Sequence, residues 1–251
     1  MPKEKKNRVG ERYISKFGGE FKIVEYRNAK DLDVYFIEYN CKVNHVQYNQ
    51  VKRGNIVCPL FPSVYGIGYI GVGKYNAYNP IYKIWSNILE RCYDESKRWK
   101  HVTYTDCEIC EEWHNFQNFA KWYEENYYKC NDEEMALDKD ILIKGNKIYS
   151  PSTCIFVPKR INTLFTKRQN DRGKLPIGLN INNNNKIVAR CNTLNERKYL
   201  GSFSLNEPFK AFTCYKNFKE KYIKQVADEY KDYIPIELYE AMYRYEVEID
   251  D

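Results

Sequence analysis

The stretch LPIGLNINNNNKIVARCNTLNERKYLGSFSL, residues 175–205, decides the fold of the C-terminal part of the chain. It holds three runs that are rich in β-branched, aliphatic and aromatic residues, and two polar turns separate them. Short strands joined by short polar turns are typical of an antiparallel meander. A helix is predicted from about Asn206, and its apolar residues recur on one side, where they can cover one face of the sheet. They are Ala211, Tyr215, Phe218, Tyr222 and Val226.

Upstream of this sheet the hydrophobic pattern becomes helical. Pro80 is predicted to begin a helix with one apolar face, and a second helix is predicted over about 111–128. Residues 136–162 predict a strand, a Gly-Asn turn, a second strand or loop, and then a helix from about Pro158.

The N-terminal part of the chain predicts a few strands in residues 20–60, in the runs EFKIVEY, LDVYFIEY and GNIVCPL. We therefore expect an α+β fold with three parts. They are a small β-rich module (1–75), a helical region with a strand–turn–strand–helix segment (76–172), and a three-stranded sheet with C-terminal helices (173–251).

A glycine run, VYGIGYIGVGKY at residues 64–75, matches two known patterns by its letters. Gly66, Gly68 and Gly71 fit the dinucleotide fingerprint G-x-G-x-x-G, and the run also looks like a compressed GIY-YIG nuclease motif. A dinucleotide site needs a helix that begins inside the fingerprint, whereas the next helix is predicted at Pro80. The two GIY-YIG triplets need separate strands, and here they touch. We therefore interpret the run as a tight-turning connector and expect no nucleotide cofactor.

Charge and cysteine content limit the classes of partner. The net charge is +6 although four of the last six residues are acidic, and a basic body of this kind suits a polyanionic partner. No run of about 18 apolar residues occurs, so we expect no membrane partner. The N-terminal residues lack the apolar segment of a signal peptide, and nine dispersed cysteines do not suggest a disulfide framework. We therefore expect a reduced, cytoplasmic protein.

Residues 177–215, IGLNINNNNKIVARCNTLNERKYLGSFSLNEPFKAFTCY, follow the pattern of a known DNA-binding module. The surrounding segment, about 174–231, resembles the AP-two/ethylene-response-factor-type DNA-binding domain. The resemblance implies that the sheet enters the major groove of DNA. Strand residues can carry Arg to base edges and Lys to phosphates. An ordinary sheet-and-helix module with surface cations is the alternative. The positions that match the DNA-facing strands include Lys186, Arg190, Arg197 and Lys198.

A second pattern runs through the region of about 80–170. Its residues are Trp85, Ile88, Arg91, Cys92, Tyr104, Cys110, Trp113, Phe116 and Phe119, followed by LDKD at 137–140 and YSPSTCIF at 149–156. These residues resemble a widespread phage protein family that is similar to HNH endonucleases. The resemblance implies that two strands and a helix clasp one divalent metal.

The same resemblance aligns Lys139 with the catalytic histidine of HNH enzymes and Asn162 with their helix-borne Asn or His. Asp138, Asp140 and Asn162 are the candidate metal ligands, because Asp and Asn oxygens suit Mg²⁺ or Mn²⁺. Alternation along a strand would put both carboxylates on one face and Lys139 on the other. Lys139 and Asp140 are the catalytic candidates, although a lysine acts as a base only if burial lowers its pKa by several units. A solvated strand end beside a turn is the alternative.

Two further groups of residues bear on a metal site. His101 and His114 could supply the missing imidazole, although a packed or exposed His114 fits its place beside Trp113. Cys107 and Cys110 form a C-x-x-C pair, and a structural zinc usually needs two such pairs. Small cysteines that pack between helices are the main interpretation, and zinc is the alternative.

Together these patterns predict a phage-type protein that binds double-stranded DNA and hydrolyses its phosphodiester bonds as a metal-dependent, HNH-like endonuclease. The alternative is a catalytically degenerate DNA-binding regulator, or a protein-interaction factor that acts on a host protein. The basic stretch 159–174 carries six Lys or Arg residues and one acid. Within it, Arg168 and Arg172 are further candidate DNA contacts.

Overall fold

The computed structural model describes residues 7–100, 102–166 and 175–251 and shows an α+β protein, as predicted. The chain divides into two compact units, Met1–Glu125 and Asn126–Asp251. The predicted central region, 76–172, is therefore shared between the two units.

The first unit begins with a four-stranded antiparallel sheet whose strands lie in chain order. Its core contains residues that alternate along the two central strands, such as Phe21 and Ile23, which are fully buried. Such alternation is typical of a strand with one face in the core. The elements are β1 (Arg12–Ile14), β2 (Glu20–Asn28), β3 (Asp31–Phe36) and β4 (Cys41–Val46), followed by the short helix α1 (Tyr48–Lys52).

The strand predicted in GNIVCPL, residues 54–60, is wrong. These residues form a turn and an irregular segment, in which Ile56 and Cys58 are buried against the core of the four-stranded sheet. The apolar run therefore marks burial rather than strand pairing. Gly54, with a φ of +65°, turns the chain before the segment, and Pro59 has no amide hydrogen to donate to a ladder.

The helices of the first unit are α2 (Pro80–Tyr93) and α3 (Phe116–Asn126), with the short strand β5 (Glu108–Ile109) between them. Asn79 caps α2, because its side chain accepts the backbone N–H of Ile81 at 2.9 Å. The helix predicted from about 111 is interrupted at Asn115, whose backbone is extended. The Asn115 side chain accepts the N–H of Gln117 at 3.0 Å and so begins α3. Residues 95–97, 102–104 and 111–114 form short 3₁₀ turns.

The glycine run at 64–75 is a connector that packs against α3, and no helix begins within it. The Gln117 side chain donates to the carbonyl oxygens of Ile70 and Tyr75, both at 2.8 Å. Its amide oxygen accepts the N–H of Tyr75 at 3.0 Å. One side chain of α3 therefore satisfies three backbone groups of the connector. The absence of a nucleotide cofactor stays a prediction.

The second unit contains two antiparallel strand arrangements. Strands β6 (Met135–Asp138) and β8 (Ile155–Pro158) pair with each other, and the short strand β7 (Ile148–Tyr149) lies between them in the chain. The predicted meander is confirmed as a sheet of three strands in the order β11-β10-β9. The other elements are β9 (Leu179–Ile181), β10 (Ile187–Asn192), β11 (Arg197–Phe203), and the helices α4 (Lys159–Asn162), α5 (Pro208–Tyr230) and α6 (Ile236–Arg244).

Helix α5 takes part in both cores of the second unit. Near its N-terminus, Ala211 and Tyr215 pack against the three-stranded sheet, as the sequence predicts. Farther along, Ile223 and Val226 pack with residues of β8, α4 and α6 in a separate core. At 23 residues, α5 is about 35 Å long, which is enough to reach both cores.

We predict that Gly68→Ala lowers the free energy of unfolding by about 1–3 kcal/mol, because it adds a methyl group to a filled space. A Cβ atom at Gly68 would lie 2.5 Å from Leu89 and 2.8 Å from Trp85, both buried side chains of α2. Gly66→Ala is the comparison, because its φ is +74° but nothing lies within 4 Å of its Cβ position. Urea unfolding measures both variants. Leu89→Val should partly relieve the destabilisation caused by Gly68→Ala but not that caused by Gly66→Ala. If the losses in unfolding free energy of Gly68→Ala and Leu89→Val simply add in the double variant, the packing explanation is contradicted.

Candidate functional site

The three-stranded sheet has one face on α5 and one face away from it. Along β10, Ile187, Ala189 and Cys191 belong to the core shared with α5. Because side chains alternate, Val188, Arg190 and Asn192 lie on the other face, which we call the distal face. Strand pairing adds the partners of these residues on β9 and β11 to the distal face. They are Asn180, Arg197, Tyr199 and Ser202.

A β-bulge in β11 decides which predicted DNA contacts lie on the distal face. Ala189 pairs with Gly201 but Arg190 pairs with Tyr199, so Leu200 is an extra residue in β11. With a regular register, Lys198 would oppose Asn192. The bulge shifts the register by one residue and puts Arg197 there instead.

The bulge therefore separates two neighbouring cations. Arg197 lies on the distal face, whereas Lys198 pairs with Cys191 and lies on the α5 side. The Lys198 ammonium group is 5.8 Å from the ring centroid of Phe218 on α5. Leu200 packs against the core under the sheet, which includes Ile187 and Ala189.

The other candidate DNA contacts are in turns or outside the described residues. Lys186 is exposed in the turn that precedes β10. Arg190 lies on the distal face, and its guanidinium donates to the Asn180 side-chain oxygen at 3.3 Å. Arg168 and Arg172 lie outside the described residues, so their part in the site stays a prediction.

The LDKD segment is not a continuous strand. Strand β6 ends at Asp138, so the alternation that would align Asp138 with Asp140 is wrong. The Asp138 side chain instead accepts the backbone N–H groups of Asp140, at 2.9 Å, and Ile141, at 2.8 Å. Burial, and secondarily the neighbouring Asp140 carboxylate, raises the pKa of Asp138 to about 6. Asp138 therefore shapes the turn, and Asp140 is exposed.

Lys139 is buried rather than solvated. Its side chain is 9% exposed, and its ammonium group donates to the carbonyl oxygen of Asn146 at 2.9 Å and to the Asp140 carboxylate at 3.3 Å. The Asn146 side chain returns a bond to the Lys139 carbonyl at 2.7 Å. Lys139 thus links the turn at 138–141 to the Gly-Asn turn. The alternative interpretation of this segment as a solvated strand end does not fit Lys139, because its side chain is buried.

The donor chemistry of Asp138, Asp140 and Asn162 fits a divalent metal, and their convergence on one ion stays a prediction. One Asp138 oxygen already accepts two N–H groups, and the cation next to Asp140 is Lys139. Asp138 pairs with Ile155 at the start of β8, whereas α4 follows the far end of that strand. These ends are about 10 Å apart. Strand pairing therefore does not itself bring Asn162 to the carboxylates.

The histidines and the C-x-x-C pair have structural surroundings. A ring nitrogen of His114 lies 3.0 Å from the carbonyl oxygen of Ile109. Cys107 is buried, and burial raises the pKa of Cys110. The described residues contain no disulfide bond. Within the described ranges, Cys107 and Cys110 gather no third His, Cys, Asp or Glu ligand around them. His101 lies outside these ranges.

One group of potential metal ligands, Asp31, Asp33 and His45, does converge within 4.8 Å. Two cations already neutralise it. Arg27 binds Asp31 at 2.7 Å and Asp33 at 2.5 Å, and Lys42 binds Asp33 at 2.8 Å. The hydrogen bond from Arg27 lowers the pKa of Asp31 to about 2. The cluster is therefore an ion-pair network across β2, β3 and β4, and an added metal cation would be repelled by Arg27.

A cleft of about 420 Å³ opens beside the end of the three-stranded sheet, in the second unit. Among the described residues that line it, the charged ones are Arg190, Arg197 and Lys219. Lys219 is not among the residues predicted from the sequence, although the sequence contains a signal for it. Lys219 continues a four-residue spacing from Tyr215 to Ile223, where an apolar residue is expected.

Comparison with family models, curated proteins and solved structures finds no match for this chain. The two family resemblances stay predictions from the residues quoted above. In the described parts of the chain, no helix is both long enough and apolar enough to cross a bilayer.

We predict that Asp33→Asn lowers the free energy of unfolding at pH 7 by about 1–2 kcal/mol, because it leaves Arg27 and Lys42 without a buried partner. Hydrogen bonds from Arg27 hold the pKa of Asp33 well below its ordinary value. The carboxylate therefore stabilises the fold above its unfolded pKa and loses that effect as the pH falls. The difference between variant and wild type should shrink below about pH 4.

Asp31→Asn is the matched control, because Asp31 shares Arg27 but its side chain is 34% exposed against 4% for Asp33. Asp31→Asn should therefore lower the free energy of unfolding by less than Asp33→Asn does. Urea unfolding from pH 7 to pH 3 measures both variants, and an Asp33→Asn effect that persists unchanged at pH 3 would contradict the ion-pair explanation.

Proposed function

We propose that the protein binds double-stranded DNA through the distal face of its three-stranded sheet. The observation that carries the proposal is the position of Arg190 and Arg197 on this one face, with Asn180 and Asn192 beside them. Tyr199 is 59% exposed there. None of the distal-face residues defined above is acidic, so the face suits a polyanion.

The chemistry of these residues matches DNA recognition. A strand face that enters the major groove can bring Arg to guanine in a bidentate pair and Asn to adenine. Lys186, exposed in the turn before β10, is placed to contact phosphate. The β-bulge in β11 aims Arg197 at the same side as Arg190, as a bulge beside a functional surface often does.

We predict that the full chain binds duplex DNA with an affinity that falls steeply with salt concentration, because phosphate contacts release counterions. Arg197→Gln should weaken binding by about 1–3 kcal/mol if Arg197 contacts a base. Lys198→Gln is the matched control, because it removes the same charge from the neighbouring residue on the opposite face of the sheet. Fluorescence anisotropy at several salt concentrations measures all three proteins.

The comparison of Arg197 with Lys198 separates a specific surface from general basicity. Equal losses from the two variants would show that only net charge matters and would contradict the distal face as the interface. A wild-type chain that binds no duplex at low salt would overturn DNA binding altogether. A protein partner, the alternative from the sequence, would then be the better candidate.

The second proposal is metal-dependent cleavage of the bound DNA at LDKD. It is favoured by the pairing of β6 with β8 and by α4 directly after β8, because two paired strands followed by a helix are what the resemblance to HNH-like enzymes implies, although the short strand β7 lies between β6 and β8 in the chain. The raised pKa of Asp138 is also typical of functional groups. The contacts of Lys139 favour the alternative, a DNA-binding scaffold without cleavage, because its ammonium group is held by the turn.

We predict that, if the protein is a nuclease, Asp140→Ala abolishes plasmid cleavage with Mg²⁺ or Mn²⁺ while DNA affinity is retained, since binding is assigned to the sheet. Asp132→Ala, an exposed acid of the same unit that lies outside LDKD, is the control and should cleave normally. Lys139→Met should abolish cleavage if the lysine is the base and only slow it if it holds the turn. Plasmid that remains intact with Mg²⁺, Mn²⁺, Co²⁺ and Ni²⁺ would exclude the nuclease in favour of the scaffold.

A further inference from the structure

Lys219 lies on the buried side of α5, where the residues four positions before and after it are buried and uncharged. Residues four apart lie on one side of a helix. Tyr215, one step before Lys219, packs in the core under the sheet, and Ile223, one step after it, packs in the second core. Lys219 itself is only 6% exposed. It therefore lies on α5 between the two cores of the second unit.

The burial of Lys219 lacks the compensation that an ammonium group normally has. A buried charge is costly unless it is paired or hydrogen-bonded. In the part of the chain that the structure describes, Lys219 forms no ion pair and donates no hydrogen bond. Burial lowers its pKa, while the nearby Cys191 acts in the opposite direction. Lys139, the other buried lysine, has both a carbonyl and a carboxylate as partners.

Lys219 lines the 420 Å³ cleft together with Arg190 and Arg197, and none of the lining residues that the structure describes is acidic. The Arg190 guanidinium donates to the Asn180 amide oxygen, at 3.3 Å, and neither arginine pairs with a carboxylate among the described residues. Three cationic side chains therefore line one cavity to which the described residues contribute no anion. Hydroxyl and amide groups complete the polar lining, contributed by Thr163, Thr166, Asn180, Asn192 and Thr193.

We propose that this cavity, the Lys219 cleft, binds a phosphate group. Guanidinium groups bind phosphate oxygens in bidentate fashion, and an ammonium group adds a point charge. A doubly charged tetrahedral phosphate can accept hydrogen bonds from three cationic groups and from hydroxyl groups at once. A carboxylate has only two oxygens and one charge, so it can satisfy fewer of these donors. The cleft is larger than one phosphate, so it also has room for a group that carries the phosphate, such as a nucleoside or a nucleic-acid end.

The cleft is a different site from the distal face, although Arg190 and Arg197 contribute to both. Lys219 distinguishes the two, because it is a residue of α5 and belongs to the cleft alone. Phosphate binding therefore does not depend on DNA binding, and each proposal can fail while the other holds.

The experiment titrates the full chain with inorganic phosphate at constant ionic strength, with binding measured by calorimetry and by the shift in Tm. Lys219→Met retains an unbranched side chain of similar length and removes the charge. It should weaken phosphate binding roughly 10-fold or more, the usual effect of losing a charge-assisted bond. It should also raise the Tm of the protein without phosphate. Lys224→Met, at an exposed lysine of the same helix, is the control and should bind like wild type.

Arg197→Gln is the second variant, because Arg197 is exposed and its replacement leaves the packing of α5 intact. It should also weaken phosphate binding and so keeps the proposal testable if Lys219→Met does not fold. Circular dichroism checks the fold of each variant.

Two further titrations identify the source of the phosphate group. Tighter binding of a 5′-mononucleotide than of inorganic phosphate, lost in Lys219→Met, assigns the cleft to a nucleotide. A 5′-phosphorylated oligonucleotide that binds more tightly than the unphosphorylated form, again only with Lys219 present, assigns it to a nucleic-acid end. Equal binding of all phosphates assigns it to phosphate itself. Wild type that binds none of them, or Lys219→Met that binds them as wild type does, overturns the proposal.

Discussion

The long helix α5 is the element on which the second unit depends. Its first half covers the three-stranded sheet through Ala211 and Tyr215, and its second half joins a core with β8, α4 and α6 through Ile223 and Val226. A pair of strands such as β6 and β8 is only marginally stable by itself, and a small sheet is stabilised when its apolar face packs against a helix. One rigid helix that buries part of both makes them a single folding unit. A fragment that begins at residue 173 would therefore lack β6, β8 and α4, which pack against the second half of α5.

Within this frame, a single inserted residue decides which charges the sheet presents. Leu200 is the extra residue of the bulge in β11, and it is an apolar residue that packs toward α5. Its burial fixes the register, because a slip by one residue would move the side chains of this strand to the opposite face. Arg197 then shares the distal face with Arg190, while Lys198 lies on the α5 side. The electrostatic character of the candidate interface is thus a consequence of core packing.

The sequence predicts the elements whose signals are local and misses the features that depend on tertiary contacts. Pro80 and the apolar repeat specify α2, and the polar turns specify the meander. Periodicity could not reveal that α3 begins only after Asn115, because the helical stripe continues through Trp113, which is buried in a 3₁₀ turn. Nor could it show that β6 ends at Asp138, where an aspartate side chain replaces strand pairing with two turn hydrogen bonds. The bulge at Leu200 has no local signal apart from Gly201.

The two buried lysines of the second unit illustrate how surroundings, rather than residue type, indicate function. Sequence alignment with a family pattern points to Lys139, but its ammonium group holds two turns together through Asn146 and Asp140. Lys219 matches no motif, and the described residues supply no partner for it. A buried amine that is fully bonded stabilises local geometry, whereas one that faces a cavity beside two arginines retains its capacity to bind an anion. The physical evidence for a bound anion is therefore stronger at Lys219, which matches no motif, than at Lys139, which does.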